Sequence, residues 1–240
     1  MPATLGVEAL LFDVFGTVVD WRSSIIAELA AFAAQRGLKA DWTAFTDDWR
    51  RLYQPAMEEV RSGRRAWTIL DVLHRESLEK LLVTHAVGGL TEAEKARIAR
   101  VWHRLTPWPD AVAGLRRLRR RYIIGTLSNG NVGLLVRMAK HADLPWDVVL
   151  GAETAGAYKP QRQAYLANAA LLNLEPAQVM LVAAHNGDLQ AAAAAGLRTA
   201  FVARPREYGP GQARDLAAER AWDVVADSFV TLADAMGCEA

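Results

Sequence analysis

The sequence predicts an α/β fold, a doubly wound parallel sheet with an all-helical domain inserted after its first strand. Two observations predict this fold. After residue 106, short apolar runs alternate with helical segments, which is typical of a parallel sheet covered by helices. Between the first apolar run, Val7–Asp13, and that alternation, the chain shows helical periodicity and no strand pattern. We therefore predict a core of residues 1–20 and 106–240 and a helical domain of residues 21–105.

Four helices are predicted in the inserted domain. Apolar residues of the first recur at helical spacing, and Gly37 is a predicted stop. The fourth begins at Thr91, where Glu94 three residues later completes a capping box. The predicted ranges are 23–37, 43–61, 67–85 and a helix that starts at residue 91.

The return to the core is marked by Trp108 between two prolines. Asp110 is a predicted N-cap, and Gly196 is a predicted helix end. The predicted elements are helix 110–121, strand 122–127, a turn at 128–131, a helix to about residue 141, strand 147–150, helix 163–172, strand 179–183, helix 188–195, strands 199–203 and 224–226, and a closing helix from residue 231.

Composition narrows the class of protein. The chain has 240 residues, of which 52% are hydrophobic, and a formal net charge of +1, so a large buried core is possible. The balanced charge gives no reason to expect a nucleic-acid or membrane partner. Cys238 is the single cysteine, which allows no disulfide within one chain and fits a reducing compartment. Without a signal-peptide pattern or a membrane-length apolar run, we expect a cytoplasmic protein.

Asp13 is the candidate catalytic residue. An apolar run ends in this carboxylate, at the carboxyl end of a predicted buried strand, where open α/β sheets place their chemistry. A carboxylate with an ordinary pKa of about 3.9 is ionised at neutral pH and can act as a nucleophile. A helix N-cap or a turn aspartate is the alternative interpretation.

The segment from Phe12 to Thr17, Phe-Asp-Val-Phe-Gly-Thr, resembles the first motif of the haloacid dehalogenase superfamily, whose core is Rossmann-like. Most members are phosphatases, which carry a general-acid aspartate where this chain has Phe15. Their later Val-Gly-Asp-x-x-x-Asp motif supplies a magnesium ligand where this chain has Ala184, while its last aspartate corresponds to Asp188. With both phosphatase features absent, the resemblance implies a leaving group that departs as a stable anion, such as halide.

Two further segments resemble motifs of this superfamily. Ser128-Asn129 resembles the second motif, and the following Gly-Asn pair is typical of the dehalogenase branch. Lys159, directly before a proline, resembles the third, and an ammonium there would keep Asp13 ionised. Turn chemistry is the alternative for Ser128-Asn129, and solvent exposure is the alternative for Lys159.

The inserted helices resemble the cap domain of these enzymes. Arg50, on the second predicted helix, resembles an arginine that faces the site from the cap, whereas Arg51 points to another face. Many dehalogenases have an asparagine where His185 stands. Fluoride gains most from close hydrogen-bond donors, so a histidine there would favour defluorination of fluoroacetate. A buried core histidine is the alternative interpretation.

The resemblance therefore implies a type II L-2-haloacid dehalogenase, a hydrolase of carbon–halide bonds without metal or cofactor. Its small-molecule partners would be a 2-haloacid and water, and a homodimer is one expectation. The implied roles are nucleophile for Asp13; support of that carboxylate by Thr17, Ser128 and Lys159; water positioning by Asp188 and Lys159; substrate binding by Val14, Phe15, Arg50, Ser128, Asn129 and Tyr165; and halide binding by Arg50, Asn129 and His185.

Three alternatives stay open. One is a magnesium-dependent phosphatase of the same superfamily acting on a small phosphate ester. Another is a non-catalytic binding module that kept the fold. The third is a hydrolase of strained small-ring amino acids that uses the same nucleophile.

Overall fold

The computed structural model describes residues 6–239. Its strands are β1 (Ala9–Phe12), β2 (Val19–Asp20), β3 (Thr106–Pro107), β4 (Ile123–Ser128), β5 (Val148–Gly151), β6 (Val179–Ala183), β7 (Arg198–Val202) and β8 (Val224–Ala226). Six of them form one sheet in the order β5-β4-β1-β6-β7-β8, and every neighbouring pair is parallel. The predicted fold class is confirmed.

Strand β1 lies at the centre of the sheet, and all four of its residues are fully buried. Successive strands extend to one side through β4 and β5 and to the other through β6, β7 and β8. The direction of winding therefore switches beside β1. Ligand sites of open α/β sheets lie outside the carboxyl ends of the strands at such a switch point. Asp13 directly follows β1 at that end.

Ten α-helices are found within residues 6–239. They are α1 (Trp21–Arg36), α2 (Trp42–Arg61), α3 (Leu70–Thr84), α4 (Glu92–Ala99), α5 (Ala111–Leu118), α6 (Val132–Ala142), α7 (Ala152–Ala155), α8 (Arg162–Leu171), α9 (Asn186–Ala195) and α10 (Phe229–Ala235). Gly37 ends α1 in the left-handed conformation, and the capping box of Thr91 and Glu94 begins α4, both as predicted.

The inserted helices α1 to α4 pack around buried aromatic side chains. The Trp102 ring stacks on Trp21 at a centroid distance of 6.4 Å and meets Trp49 edge-on at 5.6 Å. Phe15, from the turn after β1, reaches the same ring at 5.8 Å. Such aromatic pairs add to the hydrophobic stabilisation of their burial. The turn that carries the candidate nucleophile is therefore packed against the helical domain.

Local differences from the predicted elements have identifiable causes. The short antiparallel pair of β2 and β3, where the chain leaves and re-enters the core, was not predicted, and neither was the four-residue helix α7. Asp110 stands at the N-cap of α5 as predicted, but its side chain makes no capping hydrogen bond, because its carboxylate binds the buried guanidinium of Arg204 at 2.8 and 3.0 Å instead. Leaving the buried guanidinium unpaired would cost more free energy than losing one capping hydrogen bond. Helix α9 begins at Asn186, two residues earlier than predicted.

Across residues 6–239, none of the helices combines the length and the apolar character needed to cross a membrane.

Candidate active site

A cavity of about 780 Å³ opens at the carboxyl edge of the sheet, between the strand ends and helix α2. Asp13 reaches it from β1, Asn129 from the turn after β4, and Lys159 from the loop after α7. His185 joins them from the end of β6, and Arg50 closes the cavity from α2. Phe15 and Asp188 also line the cavity, so seven of the predicted site residues meet in one space, although they come from distant parts of the chain.

Asp13 is buried and receives donors on both carboxylate oxygens. Thr17 Oγ1 donates to Oδ2 at 2.7 Å, and Lys159 Nζ donates to Oδ1 at 2.9 Å. His185 Nδ1 lies 3.2 Å from Oδ2. Burial alone would raise the pKa of Asp13, but the Lys159 charge and the His185 hydrogen bond hold that pKa well below its usual range. Asp13 is therefore an ionised carboxylate facing the cavity.

Lys159 connects two carboxylates. Its Nζ donates to Asp188 Oδ2 at 2.5 Å as well as to Asp13, and its backbone N–H donates to Asn129 Oδ1 at 2.9 Å. Burial would lower the pKa of Lys159, but Asp13 and Asp188 raise it above its ordinary value. The exposed-lysine alternative does not apply, because only 6% of the residue is exposed. The ammonium stays charged and holds the two acidic side chains together.

Asp188 is fixed from its other side by Tyr165, whose hydroxyl donates to Oδ1 at 2.7 Å. Tyr165 is fully buried behind Asp188 and does not line the cavity. Burial, followed by the Asp188 charge, raises the pKa of Tyr165, so the phenol remains a neutral donor. The predicted direct contact between Tyr165 and substrate does not fit this position, which is suited to orienting Asp188 instead.

Thr17 and Ser128, which were predicted to share one role, have different partners. The Thr17 hydroxyl donates to Asp13 and accepts from the backbone N–H of Ala184 at 2.9 Å, tying β1 to β6. Ser128 Oγ accepts from the Gly130 backbone N–H at 3.1 Å and is fully buried. Among the described residues, its hydroxyl has no hydrogen bond with Asp13. The turn uses this hydroxyl locally, as serine side chains commonly do.

Arg50 presents a cationic donor to the cavity. Its guanidinium lies over the rings of Tyr53 at 4.5 Å and Trp21 at 5.1 Å. Nη1 is buried and finds no hydrogen-bond partner within residues 6–239. Buried donors are nearly always paired, so an unpaired one on a residue that lines the cavity makes Arg50 a candidate anion-binding residue. Arg51 pairs with Asp48 on the outer face of α2, with 75% of its side chain exposed.

Glu207 is part of the site but was not predicted from the sequence. It is fully buried in the loop after β7, and its Oε2 lies 2.8 Å from His185 Nε2. Trp21 Nε1 donates to Oε1 at 3.0 Å. Burial would raise the pKa of Glu207, but the His185 charge brings it below its ordinary value. A lone glutamate in a polar loop carries no local signal, so only the folded chain identifies it.

His185 is not enclosed in the core, since it lines the cavity and its ring lies between two carboxylates. Burial would lower the pKa of His185, but Glu207 and then Asp13 raise it well above its ordinary value. The two carboxylates at its ring nitrogens therefore favour the imidazolium form.

The positions that distinguish phosphatases are apolar here. Phe15 lies in the cavity wall, and Ala184 is buried at the end of β6 without a side-chain oxygen. In the part of the chain that the structure describes, no three His, Cys, Asp or Glu side chains are grouped as a metal site. The donor set at this edge therefore does not match the oxygen-rich shell that magnesium requires.

Comparisons with known proteins identify relatives of the whole chain. A family model described as haloacid dehalogenase-like hydrolase matches residues 7–196. The solved structure of a defluorinating L-2-haloacid dehalogenase has a TM-score of 0.94 and 49% identity, covering 97% of this chain and 96% of that one. Another L-2-haloacid dehalogenase structure has a TM-score of 0.94 and 50% identity, with coverages of 96% and 99%. The (S)-2-haloacid dehalogenase of Xanthobacter autotrophicus is 29% identical over 208 aligned positions, and the match covers 82% of this chain and 76% of that protein.

Proposed function

Because this chain belongs to the haloacid dehalogenase-like hydrolase family, we propose that it hydrolyses short 2-haloacids to 2-hydroxy acids through an ester on Asp13. One observation carries the proposal. A buried, ionised carboxylate faces the cavity, while Phe15 and Ala184 stand at the two positions that phosphoryl transfer requires. Two solved L-2-haloacid dehalogenases are 49% and 50% identical to this chain, and this similarity supports the same reaction class.

In the first step, a carboxylate oxygen of Asp13 attacks the substrate carbon that bears the halogen. A carbon–oxygen bond forms, the carbon–halogen bond breaks, and its electron pair leaves with the halide, which inverts that carbon. Lys159 and Thr17 hold the carboxylate in one orientation during the attack. The guanidinium of Arg50, which has one nitrogen without a partner among residues 6–239, would stabilise the halide together with Asn129 and His185, because all three residues line the cavity.

The substrate carboxylate needs donors that the fold leaves unused. Val14 and Phe15 directly follow Asp13, and neither backbone N–H donates a backbone hydrogen bond among residues 6–239. Unpaired amides beside a cavity favour an anion. We assign them to the substrate carboxylate, with the side chain of Asn129 beside them.

In the second step, water attacks the ester carbonyl of Asp13. The water oxygen enters the Asp13 carboxylate, the hydroxy acid leaves with one proton of that water, and the other proton is released. Asp188 is the acceptor placed to orient this water, because Lys159 and Tyr165 fix its two oxygens beside the cavity.

We infer that the helical residues 21–105 act as a cap over the cavity. Arg61 Nη1, at the end of α2, donates to the Lys159 carbonyl at 2.8 Å, and Tyr158 OH donates to the Thr68 carbonyl at 2.7 Å. These contacts join the helical domain to the loop that carries Lys159. A homodimer and a cytoplasmic location remain predictions.

The function is tested by halide release from (S)-2-chloropropionate and fluoroacetate, with and without a chelator. We expect release of chloride and fluoride together with the 2-hydroxy acid, unchanged by the chelator. Phosphate release from small phosphate esters, abolished by the chelator, would instead identify the phosphatase. Binding of a haloacid without turnover would identify a binding module.

Replacing Arg50 by Gln is expected to lower kcat/KM for 2-chloropropionate by roughly 100-fold, since a charge-assisted donor to the leaving anion is lost. The matched control is Arg51→Gln, on the outer face of the same helix, which we expect to stay within about twofold of wild type. Both variants are measured by steady-state chloride release. Equal activity of the two variants would show that Arg50 does not stabilise the leaving halide.

A further inference from the structure

We propose that Glu207 is a positioning residue that holds His185 as a charged, two-ended hydrogen-bond donor beside Asp13, and that this pairing determines how well fluoride is expelled relative to chloride. The inference rests on the proposed function and extends it to a preference among leaving groups.

The three side chains form a continuous line. His185 Nδ1 lies 3.2 Å from Asp13 Oδ2, and His185 Nε2 lies 2.8 Å from Glu207 Oε2. Both ring nitrogens therefore face a carboxylate oxygen. A neutral imidazole can donate from only one nitrogen, whereas an imidazolium donates from both. The geometry selects the charged form, and burial of Glu207 keeps water from replacing either partner.

Glu207 is itself rigidly placed. Trp21 Nε1 donates to its Oε1, and Arg50 Nη2 lies 3.6 Å from the same oxygen. Gly16, in the turn after Asp13, leaves room for it, because a Cβ there would lie 2.2 Å from Oε1. A fully buried carboxylate with a cation on each side is costly unless every partner is in place. Glu207 therefore holds the His185 ring and the Arg50 guanidinium against its two carboxylate oxygens.

The charged groups around His185 indicate why its ring would stabilise fluoride more than chloride as the leaving group. Asp13 and Glu207 contact the ring directly, Arg50 lies beside Glu207, and Lys159 binds Asp13. As the ester forms, negative charge moves from Asp13 to the halide, and the imidazolium loses one anionic partner. Its Nδ1–H then becomes available to the departing anion. Fluoride is small and accepts hydrogen bonds strongly, so a charged donor stabilises it more than it stabilises chloride.

The Glu207 carboxylate and the His185 imidazolium each favour the ionised form of the other. Burial would lower the pKa of His185, but Glu207 is the largest influence that raises it. Because the folded pKa is raised, the charged donor is present at low and neutral pH and is lost as pH rises through that pKa. Without the Glu207 charge, the His185 ring loses its proton at a lower pH. The alkaline limb of defluorination should therefore move to lower pH when Glu207 is neutralised.

The test is Glu207→Gln, which keeps the size of the side chain and an acceptor for Trp21. Fluoride release from fluoroacetate and chloride release from 2-chloropropionate are measured from pH 5 to 10. We expect kcat for fluoride to fall on the order of 100-fold and kcat for chloride by less than about tenfold, with KM nearly unchanged. The alkaline limb for fluoride should shift to lower pH, and Glu207→Asp should restore part of the loss.

A purely structural role predicts equal losses for both halides and no shift of the pH profile, and that result overturns the inference. So does a wild-type enzyme that releases chloride but no fluoride. If Glu207→Gln does not fold, nitrogen NMR of His185 in the wild-type protein decides, since a neutral ring at pH 7 contradicts the pairing. Failure of wild type to release either halide would instead reject the proposed function.

Discussion

Replacing Asp13 by Asn is expected to reduce kcat for dehalogenation by a factor on the order of 10⁴ or more. An amide oxygen carries no charge and is a poor nucleophile, so the ester cannot form at a useful rate. The substitution keeps the shape of the side chain at a position that is almost fully buried. The matched control is Asp20→Asn, in the same segment, where Asp20 accepts the Ser23 amide at the start of α1. Asparagine serves equally well as an N-cap, so this control should keep wild-type activity.

Isotope labelling distinguishes an Asp13 ester from direct attack by water. In a single turnover in heavy-oxygen water, the label should enter the Asp13 carboxylate, and the first hydroxy acid formed should be unlabelled. Mass analysis of the peptide that contains Asp13 reads this directly. Label in the product of the first turnover would show that water, rather than Asp13, attacks the substrate carbon.

Replacing Lys159 by Met is expected to lower kcat/KM by a factor on the order of 10³, because the ammonium holds both Asp13 and Asp188. Loss of one partner of a buried ion pair should also lower the free energy of unfolding by about 3–5 kcal/mol. Activity is followed by halide release, and stability by urea denaturation. Lys140→Met, at an exposed position of α6, is the matched control and should change neither quantity appreciably.

The pH dependence of the Lys159→Met variant has a defined sign. In the wild type, Lys159 is the largest influence that lowers the pKa of Asp13 against the effect of burial. A carboxylate with a depressed folded pKa keeps its stabilising charge above its unfolded pKa and loses it as pH falls through the folded value. Without Lys159 the pKa of Asp13 rises, so the acid limb of kcat/KM should move to higher pH. An unchanged acid limb would mean that Lys159 does not keep Asp13 ionised.

Secondary structure was predictable where it depends on neighbours in the chain. Strands β6 and β8 have the predicted bounds, and the helical insert lies where periodicity indicated it. These signals are local because a buried strand or a helix face imposes its apolar pattern on consecutive residues. The pair of β2 and β3 has two residues per strand, which is too short for any pattern.

Part of the site was also predictable, for a different reason. Asp13, Lys159 and Asp188 stand in recognisable motifs that follow strands β1, β5 and β6, and parallel strands bring their carboxyl ends to one edge of the sheet. Their mutual hydrogen bonds follow from that arrangement. Tyr165 and Ser128 show the limit of motif comparison, because their neighbours in the folded chain direct them to Asp188 and to the turn.

Residue pattern was enough to indicate the sheet, the helical insert, the candidate nucleophile and the absence of phosphatase side chains at two positions. Packing alone placed Glu207 in hydrogen-bond contact with His185 and left one nitrogen of Arg50 without a partner among residues 6–239. The reason is physical. Apolar periodicity reports burial over a few residues, whereas the interaction of buried charges depends on distances between side chains as far apart in sequence as Trp21 and Glu207, separated by 186 positions.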